Sequence, residues 1–350
     1  MISKSTRRAF LTTTALGVAS LAVRARAQRP GNRAWIDVHH HILPPAYVDA
    51  VGSAAIGAPG GRTAAPLWSV ELSLETMDSA GIATAMTSVS APALVPQNDG
   101  AAERQRVRRL VRGFNEFSRK MAVEHPRRFG TFATLCLPDV DGSLTELAYA
   151  YDQLRVEGVV LLTNYSDRYL GDPSFIPLFD ELNRRKAVVF VHPNTCACMA
   201  GINTGVPLSS IEFPQDTVRT VVSLWSSGTL ARCADIRFIL PHAGGTIPYI
   251  ATRVARLNPR LADTLPLVKR QYYDVALSIY PQVLAALTQF AGASQIVFGT
   301  DYPFGAAGTA ETTAHELEAL GLGDGVVDAI GWRNASGLFP NLQAGAQRAG

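Results

Sequence analysis

The most regular feature of the chain is an alternation of short apolar runs with longer amphipathic ones. Eight runs read as strands: Ala34–Val38, Ile82–Val89, Phe129–Leu135, Gly158–Thr163, Ala187–Val191, Ile236–Leu240, Tyr272–Ala276 and Gln295–Gly299. Several are apolar at consecutive positions rather than alternate ones, the pattern of strands buried on both faces. The runs between them predict helices over Leu72–Ala80, stopped by Gly81, and over Ala101–Glu124. In the second, Val107, Leu110, Val111, Phe114, Phe117, Met121 and Ala122 recur at three- and four-residue steps, with arginines between them. Further helices are predicted over Ser143–Arg155, Pro173–Arg185, Gln215–Ala231, Ile247–Arg256 and Gln282–Phe290, with Ala310–Leu320 and Val326–Gly331 closing the chain. Two stretches, Pro44–Pro66 and Pro193–Pro214, read as long loops, the kind that serve as lids or site walls.

Eight buried strands alternating with helices predict an α/β fold, a TIM (β/α)8 barrel in a single domain. An open doubly wound sheet is the competitor. It would carry a glycine-rich phosphate turn after its first strand, and that position holds histidines here.

Composition changes this picture at the N-terminus. Lys4, Arg7 and Arg8 precede a mostly apolar run from Phe10 to Val23, and Ala25-Arg26-Ala27 has the form of a cleavage site. Ser5-Thr6-Arg7-Arg8-Ala9-Phe10-Leu11 resembles the twin-arginine export motif. Residues 1–27 are therefore expected to be a signal peptide, with 28–350 the barrel, a periplasmic destination, and no membrane attachment after cleavage. The formal charge of the whole chain is +3, but the leader holds five cations and no acid, so the remainder carries −2. The apparent basicity gives no reason to expect nucleic acid as a partner. The 47% hydrophobic content supports a sizeable core.

The four cysteines are Cys136, Cys196, Cys198 and Cys233. An oxidising compartment permits disulfides, but spacing does not decide pairing. Cys196 and Cys198 lie close together in sequence and are expected to be unpaired loop cysteines.

The candidate chemistry sits at strand ends. Ile36-Asp37-Val38 runs into His39-His40-His41 and then Ile42-Leu43-Pro44. His39 and His41 are two residues apart, so on an extended strand they leave the same face, while His40 points away. Strand five ends on His192, strand six is followed by His242 and strand eight by Asp301. The chain has seven histidines, and four of them occupy such places. In a barrel these ends share the C-terminal face, where three or four imidazoles and a carboxylate make a metal site.

The motifs His39-x-His41, Val191-His192-Pro193-Asn194, His242-Ala243-Gly244-Gly245 and Gly299-Thr300-Asp301-Tyr302-Pro303-Phe304 resemble the amidohydrolase superfamily. They are most similar to its branch of metal-dependent decarboxylases, of the aminocarboxymuconate-semialdehyde and 6-methylsalicylate type. The stretches Phe213–Thr217 and Ile236–Tyr249 carry the second likeness, and the resemblance spans residues 34–340. It implies that His39, His41, His192 and Asp301 bind one divalent ion, Zn2+ by donor type or Mn2+ if six ligands gather. Thr163 and Asn164 stand where other branches place a metal-bridging lysine, which implies a mononuclear site. The resemblance assigns His242 as a general acid/base beside the ion, with Asp301 as its catalytic companion. The implied reaction protonates the carbon that bears the substrate carboxylate and releases carbon dioxide, with no organic cofactor.

Trp68, Phe213, Tyr302 and Phe304 are expected to wall an apolar pocket for a small carboxylic acid. The resemblance further implies a homodimer in which Arg253 reaches the substrate across the interface, with Arg62 a second candidate for that task. Two other functions remain open on the residues: a metal-dependent hydrolase of a lactone, ester or amide, and a non-catalytic binding protein.

Overall fold

The computed structural model describes residues 33–342, so the twin-arginine leader lies outside the described residues. Eight strands form one parallel sheet in sequential order: β1 Trp35–Ile42, β2 Ile82–Val89, β3 Phe129–Thr134, β4 Gly158–Leu162, β5 Val188–His192, β6 Arg237–Leu240, β7 Tyr272–Asp274 and β8 Ile296–Val297. The ladder between β1 and β8 is replaced by single backbone bonds. Val38 N–H donates to Phe298 O (3.0 Å), Asp301 N–H to His39 O (2.9 Å) and His41 N–H to Tyr302 O (2.7 Å). These bonds close the TIM barrel and tie the His-x-His strand to the Asp301 segment.

The interior holds one apolar side chain after another from the strands, among them Ile36, Val38, Met86, Phe132, Val160, Phe190, Ile239 and Val297. Ala335, Leu338, Phe339 and Leu342 plug it from below. A larger cluster, with Trp35, Ile42, Phe179, Trp225 and Phe298, packs the outer faces of the strands against the helices. This two-sided burial explains why the strands are apolar at consecutive positions.

The structure departs from the sequence reading in ways that bear on function. β1 runs on through the histidines to Ile42 instead of stopping at Val38. Its register against β2 shifts between Asp37 and His40. Val38 and His39 therefore both face the interior, where strict alternation would set them on opposite sides. Pro44–Pro66 is not a loop throughout: helices Pro45–Val51 and Ser53–Gly57 lie within it. The helix expected from Gln215 begins at Leu208 and runs to Ser226 with Pro214 inside it. Pro214 sits in the second turn, and its carbonyl crowds Gly245, where an added Cβ would fall 2.2 Å from that oxygen. A short hairpin, Asn164–Tyr165 with Arg168–Tyr169, follows β4 and had no signal in the hydrophobic pattern. Cys196 and Cys198 are joined in a disulfide with Cα atoms 5.3 Å apart, correcting the expectation of unpaired thiols. Their Cα separation falls within disulfide reach despite the single intervening residue. Cys136 and Cys233 are free and buried. Among the described residues no helix is long and apolar enough to cross a membrane.

Candidate metal centre

The ends of β1, β5 and β8 bring His39, His41, His192 and Asp301 together. All four are buried, and one ligand atom from each lies within 4.8 Å of the others. His39 Nε2 and His41 Nε2 are 3.0 Å apart, and each is 3.2 Å from Asp301 Oδ1. That oxygen is buried and has no hydrogen-bond partner. His192 packs edge-on against His41, with ring centroids 4.6 Å apart.

The second ring nitrogen of each histidine is already engaged. His39 Nδ1 donates to Asp274 Oδ2 at 2.9 Å, at the end of β7. His192 Nδ1 donates to Pro193 O at 2.8 Å, and His41 Nδ1 pairs with Ser88 Oγ at 3.1 Å. These bonds turn the Nε2 atoms toward one another, as hydrogen bonds to the far ring nitrogen do in metal-binding imidazoles. Three nitrogens and an unpartnered carboxylate oxygen converging in a buried space fit a divalent cation. Burial alone would lower the His39 pKa, but Asp274 and Asp301 outweigh it and hold the imidazole up at about 10. Burial, with His41 and His39 nearby, drives His192 well below its ordinary value. Asp301 is also penalised by burial, yet His39, His242 and His41 hold it well below the usual carboxylate range.

The backbone around the cluster is unusual. Asp301 has a φ of 62°, and His242 and Ala243 have φ values of 53° and 57°. For residues with a Cβ this left-handed region costs about 1–2 kcal/mol each. The Asp301 N–H bond to His39 O helps hold its site. Gly299 answers a different need, because a Cβ there would fall 2.8 Å from His39 Cβ.

His40 faces outward. Its Nδ1 donates to Asp37 Oδ2 (3.0 Å), its Nε2 lies 2.6 Å from Ser73 Oγ, and its ring stacks on Tyr302. Asp37 also accepts from His39 N–H, Thr300 N–H and Thr300 Oγ–H. One buried carboxylate thus pins both ligand-bearing segments at the barrel seam.

Above the cluster is a cavity of about 370 Å3 with His192, His242 and Asp301 at its floor. His242 Nε2 is 3.6 Å from Asp301 Oδ2. Phe213 and Phe304 form part of the walls, as expected, and Arg62 joins them, fixed by bonds to Phe304 O (2.9 Å) and Gly305 O (3.0 Å). Two of the four expected wall aromatics, Trp68 and Tyr302, lie elsewhere. Trp68 packs against Phe117 (6.0 Å) and does not line the cavity, because its segment lies against the helix Ala101–Glu124. Arg253, expected to act across an interface, is on the exposed side of the helix Ile247–Leu257, outside the cavity of its own chain. Tyr302 turns to His40 rather than to the cavity. Sequence reasoning missed Asp274 and Asp37. Each is a lone acid in an otherwise apolar strand, and that placement is the one signal that could have marked them.

A parallel barrel with a buried three-histidine, one-aspartate cluster at its C-terminal face defines a metal-binding class of protein. The chain belongs to the Amidohydrolase family, whose sequence profile matches residues 36–340. It is 38% identical over 330 residues to decarboxylase yanB of Aspergillus niger, covering 88% of each chain. It is 37% identical over 324 residues to the 6-methylsalicylic acid decarboxylase acuB of Aspergillus aculeatus, covering 88% of this chain and 96% of that one. The fold matches a dihydroxybenzoic acid decarboxylase from Polaromonas sp. JS666, solved with manganese and the inhibitor 2-nitroresorcinol. That match has a TM-score of 0.73 and 22% identity, and covers 88% of this chain and 97% of the other. At that identity the likeness speaks for the fold.

Proposed function

We propose that the protein is a metal-dependent carboxy-lyase that removes the carboxyl group of a small hydroxylated aromatic acid without oxidation. The observation that carries this reading is the buried His39–His41–His192–Asp301 cluster opening onto one cavity whose floor also holds His242. The decarboxylase relatives favour it over hydrolysis of a lactone, ester or amide. The donor set suits Zn2+. Mn2+ is the alternative, supported by the manganese in the Polaromonas enzyme. Held by His39, His41, His192 and Asp301, the ion would supply a Lewis acid toward an anionic substrate.

The chain does the rest. Phe213 and Phe304 offer apolar faces to an aromatic ring. Arg62 offers a fixed positive charge to an anionic substrate. His242 and Asp301, 3.6 Å apart at the floor, share the proton that must reach the ring carbon bearing the carboxylate. Protonation there interrupts aromaticity. The C–C bond then breaks, its electron pair restores the ring, and carbon dioxide leaves.

The leader supports export by the twin-arginine route to the periplasm, a path for folded, metal-loaded proteins. A homodimer is the assembly we favour. Tyr249 and Leu257, on the same helix as Arg253, are 87% and 66% exposed, and a second copy would cover them.

The test is incubation of the Zn2+- or Mn2+-loaded protein with salicylate-type acids while carbon dioxide is followed. Release from at least one acid is expected. Turnover of lactones or esters with no release from any acid overturns the reading.

A further inference from the structure

The position after β4, where a bridging lysine is lacking, has a different use in this chain. Thr163 is fully buried, and its polar atoms bracket the turn that carries His192. Its N–H donates to His192 O at 2.9 Å, and its Oγ accepts from Asn194 N–H at 2.9 Å. Between those two points lies Pro193, whose carbonyl takes the Nδ1–H of His192 and so aims the ring. The hydroxyl proton of Thr163 goes to Asp216 Oδ2. With the proton committed there, a lone pair is left for Asn194 N–H.

Asp216 is itself fully buried, on the helix Leu208–Ser226. It also accepts from Asn164 Nδ2–H at 3.1 Å and from Tyr169 O–H at 2.7 Å, and Asn194 N–H lies 3.4 Å from the same Oδ2. Arg219 is 3.9 Å away. The same helix presents Phe213 to the cavity, three residues earlier, with its ring 6.1 Å from that of His192. Thr220, further along that helix, donates its hydroxyl to Thr163 O at 2.9 Å.

We propose that Asp216, acting through Thr163, is a positioning residue. It locks the His192 imbedding turn to the helix that walls the cavity, so metal affinity and the seat of the substrate are set by one buried carboxylate. The proposal rests on the metal-centre reading and not on the identity of the reaction. A buried carboxylate with several donors is costly to disturb, and any change in the direction of the Thr163 hydroxyl is passed to the His192 turn.

The experiment is metal titration of the full chain. Zn2+ affinity is measured by competition with a chelator, and the visible spectrum of the Co2+-loaded protein reports ligand geometry. Thr163→Ser keeps the hydroxyl and is expected to match the wild type. Thr163→Val and Asp216→Asn are expected to weaken Zn2+ binding about tenfold or more and to alter the Co2+ bands. If both variants melt earlier yet bind Zn2+ with wild-type affinity and an unchanged Co2+ spectrum, the network is only structural and the proposal fails. If Asp216→Asn does not fold, Thr163→Val decides alone, in either direction. A wild type that binds neither ion overturns the metal centre itself, a result distinct from loss of affinity in the variants.

Discussion

Asp274 Oδ2 lies 2.9 Å from His39 Nδ1, and neither side chain is exposed to solvent. The other oxygen of the same carboxylate accepts from the N–H groups of His242 (2.9 Å) and Ala276 (3.0 Å). One residue from β7 thus orients a metal-facing imidazole and also fixes the backbone of the proposed acid/base. Asp274→Asn should cost about 10–100-fold in metal affinity, because the neutral amide has one acceptor oxygen and cannot serve both His39 Nδ1–H and the two backbone N–H groups. Residual metal after dialysis against a graded chelator series checks this. Retention equal to wild type would show that the contact does not tune the site.

His192 and His242 sit within one floor but are expected to fail differently. His192→Ala removes a donor of the four-atom cluster, so metal and activity should fall together. His242→Ala leaves that cluster intact and should retain metal while turnover drops about 10²–10⁴-fold. Elemental analysis beside initial rates separates the two. Metal loss in the His242 variant would move that residue into the ligand set.

Phe304 stands edge-on to His41, with ring centroids 5.5 Å apart, and walls the cavity. Phe304→Ala should raise KM for an aromatic acid about 5- to 150-fold, the scale of losing about 1–3 kcal/mol of apolar contact, with metal content unchanged. Steady-state kinetics at saturating metal reads this, and a fall in kcat alone would place the residue elsewhere in the mechanism.

Away from the site, Glu157 accepts from Thr131 N–H at 2.7 Å, and burial pushes its carboxyl above the ordinary value of 4.5. A raised carboxyl holds its proton longer in the folded state than in the unfolded one. Its contribution is therefore fully present below the ordinary value and is lost as pH rises through the folded one. Glu157→Gln removes this dependence while its amide oxygen can still accept from Thr131. The stability of the variant relative to wild type should increase between about pH 4 and about pH 8. Urea unfolding at both ends tests the sign, and a variant whose stability relative to wild type falls as pH rises contradicts it.

Much of this protein is legible in one dimension. The eight strands appear as apolar runs because burial on both faces demands it, and seven of the eight are found within a few residues of their structural bounds. The exception is β1, where three histidines hide the continuation of the strand to Ile42. The metal cluster is legible for a related reason. Imidazoles and a carboxylate are rare at the ends of buried strands, and closure of a parallel barrel must gather such ends on one face.

The partners of those residues are not legible, because they depend on where strands meet and not on what they contain. Asp274 and Asp37 become meaningful only when β7 lies beside β8 and β8 closes onto β1. Aromatic residues show the same limit. Phe213, Phe304 and Trp68 look equivalent in sequence, yet two face the cavity and the third packs on Phe117. The His-x-His stretch carries both lessons. Its spacing of two puts His39 and His41 on a common face by strand geometry alone. That this face is the barrel interior follows from the register shift between Asp37 and His40, which turns His39 and His41 inward above Ile36 and Val38. A shift of register costs nothing in local propensity and is selected by pairing with β2 and β8, so the chain's own order of residues could supply the ligands but not their direction.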